Sequence, residues 1–272
     1  ARHSVMTASD SSTPEPVLIL GGGLMGLAIA HQLARQEVAV TVLSRRRSEA
    51  AGFVAAGMLA PHAEGLSGNL LALGQASLKR ITSWVAQIEA DSELSCGLHS
   101  TGIVVPFRST TDRDAYPTAK YGKPLDRGQL MQELPGIGTE WVAGLLFPQD
   151  GQIDNRRQLM RALERACVDR GVQFQEGVEV LDLLTDNACL SGVRTRDSEG
   201  MESILRSTKA ILCSGAWSGQ LLPELPIFPV KGQMLSLQAP CGALSRVIFG
   251  PGTYLVPRED GLVVVGATSE RE

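Results

Sequence analysis

The chain's hydrophobic pattern begins with Val17-Leu18-Ile19-Leu20, an unbroken apolar run closed by glycines, which predicts a strand buried on both faces of a parallel sheet. Helical spacing follows over Leu27–Gln36, then a second apolar run over Val38–Leu43, so the opening reads as a β-α-β unit. Small residues fill Ala50–Pro61. A long amphipathic helix is expected over Asn69–Ala90, with Leu70, Leu73, Ala76, Ile81, Val85 and Ile88 on one face. From Gly97 the pattern shortens into strands, Gly102–Phe107 and Leu145–Pro148, separated by an irregular polar stretch over Arg108–Asp126 and a short helix over Arg127–Leu134. Asp154 should cap a helix over Asn155–Arg170, ended by Gly171. Strands follow over Val172–Gln175, Val178–Leu184, Cys189–Arg196, Glu202–Arg206 and Lys209–Cys213. The runs Gln233–Leu237, Val247–Phe249, Thr253–Val256 and Leu262–Val265 then predict an antiparallel set in another sheet. The order predicts an α/β fold: a Rossmann-like dinucleotide domain interleaved with a β-rich (α+β) domain.

The glycines after the first strand fall as G-x-G-x-x-G at Gly21, Gly23 and Gly26. In that motif the first permits a tight turn, the second lets backbone approach a pyrophosphate, and the third lets helix and strand pack closely. The helix start adds N–H groups and a positive dipole end for the phosphates. The second strand ends at Ser44, where an acidic residue usually meets a ribose, and Arg45-Arg46-Arg47 follow. Arginines there suit a 2′-phosphate, or they form a solvated surface run. The motif therefore gives a dinucleotide and leaves FAD and NADP both open.

Composition narrows the partners. The net charge is −4 and the pI about 5.7, which argues against non-specific nucleic-acid binding. No apolar run approaches the roughly 20 residues that span a bilayer. The five cysteines (Cys96, Cys167, Cys189, Cys213, Cys241) form no C-x-x-C pair and read as small hydrophobes of a reducing compartment, so a cytoplasmic location is expected. The four histidines (His3, His31, His62, His99) lack metal-ligand spacing, and no metal is expected.

GGGLMG at Gly21–Gly26, AAGMLAPHAE at Ala55–Glu64, GQIDNRRQLMRAL at Gly151–Leu163, ILCSGAWSG at Ile211–Gly219, PVKGQML at Pro229–Leu235 and YLVPREDGLVVVGATSE at Tyr254–Glu270 occur in this order. Together they resemble the FAD-dependent amine oxidases of the D-amino-acid oxidase family, which includes sarcosine oxidase, and within it the glycine-oxidase branch of thiamine biosynthesis. The resemblance implies FAD rather than NADP. It implies cofactor contacts at Gly21, Gly23, Leu24, Met25 and Gly26, at Ser44 and Arg45, along Ala55, Ala56, Gly57, Met58 and Leu59, at Val178 through its backbone, and at Ser214, Gly215 and Trp217. Ser44 departs from the family's acidic residue, so its hydroxyl or backbone would have to meet the ribose. Small residues over Ala55–Leu59 also suit plain helix–sheet packing, and Trp217 also reads as a core aromatic.

By the same resemblance Tyr254 reaches the substrate and is the candidate catalytic residue, with Ser269 beside it. Tyr254 also reads as a core-facing strand aromatic. Arg258 reads as a turn or surface pair, and His62 as a structural histidine or one near the flavin. The implied function is oxidation of glycine and small amines such as sarcosine, with oxygen as acceptor and hydrogen peroxide as product. A D-amino-acid or sarcosine oxidase or dehydrogenase of the same fold, and a non-catalytic flavin-binding remnant, are the alternatives. Partners are a small amino acid and O2, with no nucleic acid or membrane; a homo-oligomer is left open. The domains expected are a disordered leader over 1–13, an FAD domain over 14–90 and 151–228, and a substrate domain over 91–150 and 229–272. The family's carboxylate-binding arginines belong after the GAT block, beyond these residues, so the substrate site is expected to be incomplete here.

Overall fold

A computed structural model describes residues 15–271. The leader expected over residues 1–13 lies outside them. The chain divides into two compact units, each built from two stretches: residues up to Arg47 with Arg170–Ser214, and Ser48–Asp169 with the residues from Gly215 onward. The α/β class and the interleaving follow the sequence pattern. The boundaries differ from those read in the sequence, because residues 48–90, 151–169 and 215–228 pack within the second unit.

In the first unit, strand Val17–Leu20 pairs in parallel with Val40–Ser44 on one side and Ala210–Leu212 on the other. Gln173–Glu176 extends this four-stranded sheet beyond Val40–Ser44. The register sets Leu20 opposite Leu43 and Leu212, and Ser44 opposite Glu176, so the four carboxyl ends share one edge. That edge is where open parallel sheets bind ligands. Helix Leu24–Arg35 starts earlier than the sequence reading placed it and buries Gly26, Leu27, Ala30, His31 and Ala34 along one stripe. The unit also carries a three-stranded antiparallel sheet of Glu179–Asp186, Cys189–Arg196 and Glu202–Arg206. Its first hairpin turns on Asn187 and Ala188, both at positive φ, as a two-residue turn of this hand requires.

The second unit is built on a seven-stranded sheet in the order Leu235–Gln238, Leu262–Gly266, Thr253–Pro257, Val247–Gly250, Ile103–Phe107, Ala143–Phe147 and Lys123–Leu125. All pairs are antiparallel except Val247–Gly250 with Ile103–Phe107. Every residue of Ile103–Phe107 is buried, which explains why its sequence shows no polar alternation. Ile103, Val105 and Phe107 face a core with Leu145, Phe147, Val247, Val256 and the small residues Ala56, Ala60 and Ala63. Val104 faces a second cluster with Leu125, Leu130 and Leu134.

Several elements differ from the sequence reading. Helix Gly68–Ser92 is as long as expected, yet Leu70 and Leu73 are 59% and 64% exposed, and Val85 and Ile88 in its second half are the apolar residues it buries. The polar stretch Arg108–Asp126 contains a helix over Thr110–Asp114, capped by the Ser109 side chain, and the edge strand Lys123–Leu125. Asp154 does cap its helix, accepting from Arg157 N–H at 3.2 Å, but the first five residues, Asn155–Leu159, form a wider π turn before Met160–Asp169. Met58–Leu59, Gly151–Ile153 and Leu98–His99 form a further small sheet; two- and three-residue strands leave no periodicity to read.

Candidate functional site

The glycine loop sits at the carboxyl end of Val17–Leu20, in the first unit. Gly21 has φ +123°, and a Cβ there would strike the Cys213 carbonyl. A Cβ at Gly26, inside the first helical turn, would strike the Gly21 carbonyl. Both glycines are thus demanded by the fold itself. Gly23 is different: as N-cap of the helix it has φ −79° and ψ −172°, extended backbone open to any residue. Its lack of a side chain keeps space clear at the helix start, where Leu24, Met25 and Gly26 present first-turn N–H groups. Met25 is exposed there. A strand end, two packing glycines and a helix start at the sheet's carboxyl edge fit a bound pyrophosphate.

At the end of the second strand, Ser44 is buried and its carbonyl accepts the Val178 N–H at 3.1 Å. The neighbouring arginines face acids of the same unit. Arg47 donates from its backbone N and from Nε to the two oxygens of Glu176, each at 2.9 Å, and its guanidinium lies 4.7 Å from the Phe174 ring centre. Its stem covers Gly22, where a Cβ would come within 2.6 Å of it. Arg45 pairs with Glu179 at 3.4 Å. Charges already matched by carboxylates make a poor 2′-phosphate cluster, and this favours FAD over NADP. The carboxylate that Ser44 lacks stands one strand over, on Glu176, in register with Ser44. Ser214 ends this unit; its backbone passes against Gly21.

The remaining site residues of the sequence reading belong to the second unit. In Ala55–Leu59, Gly57 has φ +79°, its carbonyl accepts from Ile153 N–H at 2.8 Å, and a Cβ there would strike the Ile153 carbonyl. Met58 and Leu59 pair with Gln152 and Gly151. Close packing therefore explains Gly57. Arg258 is the clear departure: it is no surface residue but 9% exposed, donating to Gln152 Oε1 at 2.7 Å and to the Ala56 carbonyl at 2.6 Å. Gly215 sits in a short turn with φ +55°. Trp217 is 39% exposed and lines a cavity of about 360 Å³ with Gln220, Pro223 and Ile227, so it is not a core aromatic.

Tyr254 lies on the inner strand Thr253–Pro257, half-buried, with its ring over Gly266, where any Cβ would strike it. Its hydroxyl lies 3.0 Å from the Met234 thioether sulfur, a weak acceptor. Burial and the Glu64 carboxylate push this hydroxyl above its ordinary value, so it stays a protonated donor. Ser269 is exposed, between Thr268, whose N–H reaches the Gln233 carbonyl at 3.1 Å, and Glu270, which forms a bridge with Lys231.

His62 is buried and structural. Its Nδ1 lies 2.6 Å from Asp150 Oδ1, and Asp150 Oδ2 accepts the His62 and Ala63 N–H groups at 3.2 and 2.7 Å. The Gln75 amide is 3.1 Å from Nε2; the tautomer protonated at Nδ1 satisfies both contacts. Thr118 and Tyr116 donate to the His62 and Ala63 carbonyls, each at 2.6 Å. Burial and Asp150 push the Glu64 carboxyl up, and Glu64 acts on both Tyr116 and Tyr254. The sequence reading gave no role to Glu64, Asp150 or Tyr116; the AAGMLAPHAE block held the first, and no local signal marked the other two.

Among the described residues no group of His, Cys, Asp or Glu is arranged to hold a metal, and no helix is long and apolar enough to cross a membrane. The chain is 41% identical over 267 residues to the bifunctional protein ThiO/ThiG of Synechocystis sp., covering 95% of this chain and 39% of that protein. It is 28% identical over 267 residues to the glycine oxidase of Pseudomonas aeruginosa, covering 94% and 71%. The crystal structure of glycine oxidase from Geobacillus kaustophilus superposes with a TM-score of 0.84 at 25% identity, over 94% of this chain and 71% of that one. The chain thus spans about two fifths of its ThiO/ThiG relatives' length. Residues 16–272 match the profile of one family throughout, with the glycine loop and matched arginines that fit its cofactor: the chain belongs to the FAD dependent oxidoreductase family.

Proposed function

We propose that the protein containing these residues is a glycine oxidase: it converts glycine, and small amines such as sarcosine, to the imine and then the oxo acid. Glycine gives up its Cα–H as hydride and one N–H proton; water hydrolyses the imine to glyoxylate and ammonia, and O2 takes the two electrons and two protons to become H2O2. Bound FAD would supply the electron acceptor. The chain's own part is to bind and aim. Gly21–Gly26 would take the pyrophosphate, Ser44, Arg45 and the Val178 backbone the adenosine end, Ala55–Leu59 the ring, and Ser214, Gly215 and Trp217 the closing turn. Tyr254 and Ser269 would meet the substrate. The reading rests above all on Tyr254: a half-buried phenol held protonated, with only a thioether beside it, would exchange that partner readily for a carboxylate. All five cysteines are free thiols, in keeping with a cytoplasmic enzyme, and the ThiO relatives support a place in thiamine biosynthesis.

Peroxide release with glycine tests the reading. In the full-length holoenzyme, Tyr254→Phe should retain FAD and fold while raising the KM for glycine. One hydrogen bond to a charged carboxylate is worth about 1.5–3 kcal/mol, or about 10- to 150-fold. Unchanged glycine kinetics would make Tyr254 a packing residue and remove the substrate assignment.

A further inference from the structure

Arg258 follows directly on strand Thr253–Pro257 and enters the turn to Leu262–Gly266. An arginine there would ordinarily point to water and pair with the turn's acids. Here the turn's Asp260 is taken by Arg157, whose Nη1 lies 2.6 Å from it, and Arg258 points inward. Burying a guanidinium costs several kcal/mol unless its donors find acceptors. Arg258 finds two, Gln152 Oε1 and the Ala56 carbonyl, and an ion-pair partner in Asp154, 3.9 Å from Nε.

The Ala56 contact reaches beyond packing. In a trans peptide the carbonyl and the following N–H point in opposite directions. Drawing the Ala56 carbonyl toward Arg258 therefore aims the Gly57 N–H the other way. The next peptide is fixed likewise, since the Gly57 carbonyl is held by the Ile153 N–H at 2.8 Å, which aims the Met58 N–H. A charged donor on a carbonyl also polarises that peptide and strengthens its N–H as a donor. We infer that Arg258 is a positioning residue for the flavin: through the Ala56 carbonyl it orients and strengthens the Gly57 N–H as a donor to the polar edge of the ring. This rests on the reading that Ala55–Leu59 lines the flavin. It ties the turn after the Tyr254 strand to the segment that would hold the cofactor.

The test compares Arg258→Lys and Arg258→Met with wild type as full-length holoenzymes at matched flavin content. A lysine keeps the charge but cannot fork onto two acceptors. Both variants should lose about 10- to 100-fold in kcat for glycine, the scale of a misplacement of about 1 Å, with KM within about twofold. The flavin midpoint potential should fall in both, and amide hydrogen exchange over residues 55–59 should quicken. If Arg258→Met does not fold, the lysine variant carries the test. Unaltered kcat, potential and exchange beside a lowered Tm would make Arg258 a packing residue and overturn the inference alone. If FAD gives wild-type residues 55–59 no added protection from exchange, the flavin-contact reading itself fails, and the inference with it.

Discussion

Gly23→Val is expected to give a folded protein that no longer retains FAD. The backbone at Gly23 is extended, so a branched residue fits its dihedrals, and a valine N-cap costs the helix only about 1 kcal/mol. What it adds is a branched side chain at the helix start, where the first-turn N–H groups would take the pyrophosphate. Each charge-assisted contact from an N–H to a phosphate is worth about 1.5–3 kcal/mol, and displacing the pyrophosphate from two of them weakens binding by roughly 10²- to 10⁴-fold. Gly26→Ala makes the contrast. Its Cβ would strike the Gly21 carbonyl within the same loop, so that variant should lose the packing of helix Leu24–Arg35 as well as the cofactor. The flavin-to-protein absorbance ratio after gel filtration, read beside circular dichroism, separates the two. Stoichiometric flavin in folded Gly23→Val would remove this loop from the site.

Asp150→Asn should be the most destabilising conservative change in the second unit. The carboxylate receives three donors, the His62 and Ala63 N–H groups and His62 Nδ1, away from bulk solvent: both side chains are at most 1% exposed. An amide of the same size offers one oxygen and turns its NH2 toward at least one donor. Leaving a buried donor unmatched costs about 1–3 kcal/mol, and breaking a buried pair about 3–5 kcal/mol. A loss near 3 kcal/mol lowers Tm by about 6–12 °C in a domain of this size. The His62–Asp150 pair sets the course of Pro61–Glu64, so Ala55–Leu59 just before it, the segment proposed to meet the flavin, should loosen too. Calorimetry of the holoenzyme checks this, and an unmoved Tm would mean the pair adds nothing to the fold.

What the sequence disclosed follows physical range. Val17–Leu20, the glycines and Leu24–Arg35 were legible because strand, turn and helix are written in contiguous residues with distinct periods. The helix over Gly68–Ser92 was legible in extent, but its buried face was not, since Leu70 and Leu73 have helical spacing without a core to meet. Arg258 and Asp150 were misread or missed for one reason. Their partners, Ala56 and His62, lie 202 and 88 residues away, and a polar residue's burial is decided by such partners, not by its neighbours in sequence. Ser44 invited an NADP reading for the same cause: Glu176, which answers Arg47, comes 129 residues later in the chain. Trp217 shows the converse, an aromatic that composition assigns to a core and the fold leaves at a cavity wall.

These residues should bind FAD in an enzyme whose flavin is reduced by glycine. Anaerobic addition of glycine to the purified full-length holoenzyme tests it most directly. The oxidised flavin bands should bleach, with one glyoxylate formed per flavin reduced, and return on admission of O2 with release of H2O2. Bound FAD that dithionite bleaches but glycine and sarcosine do not would contradict it.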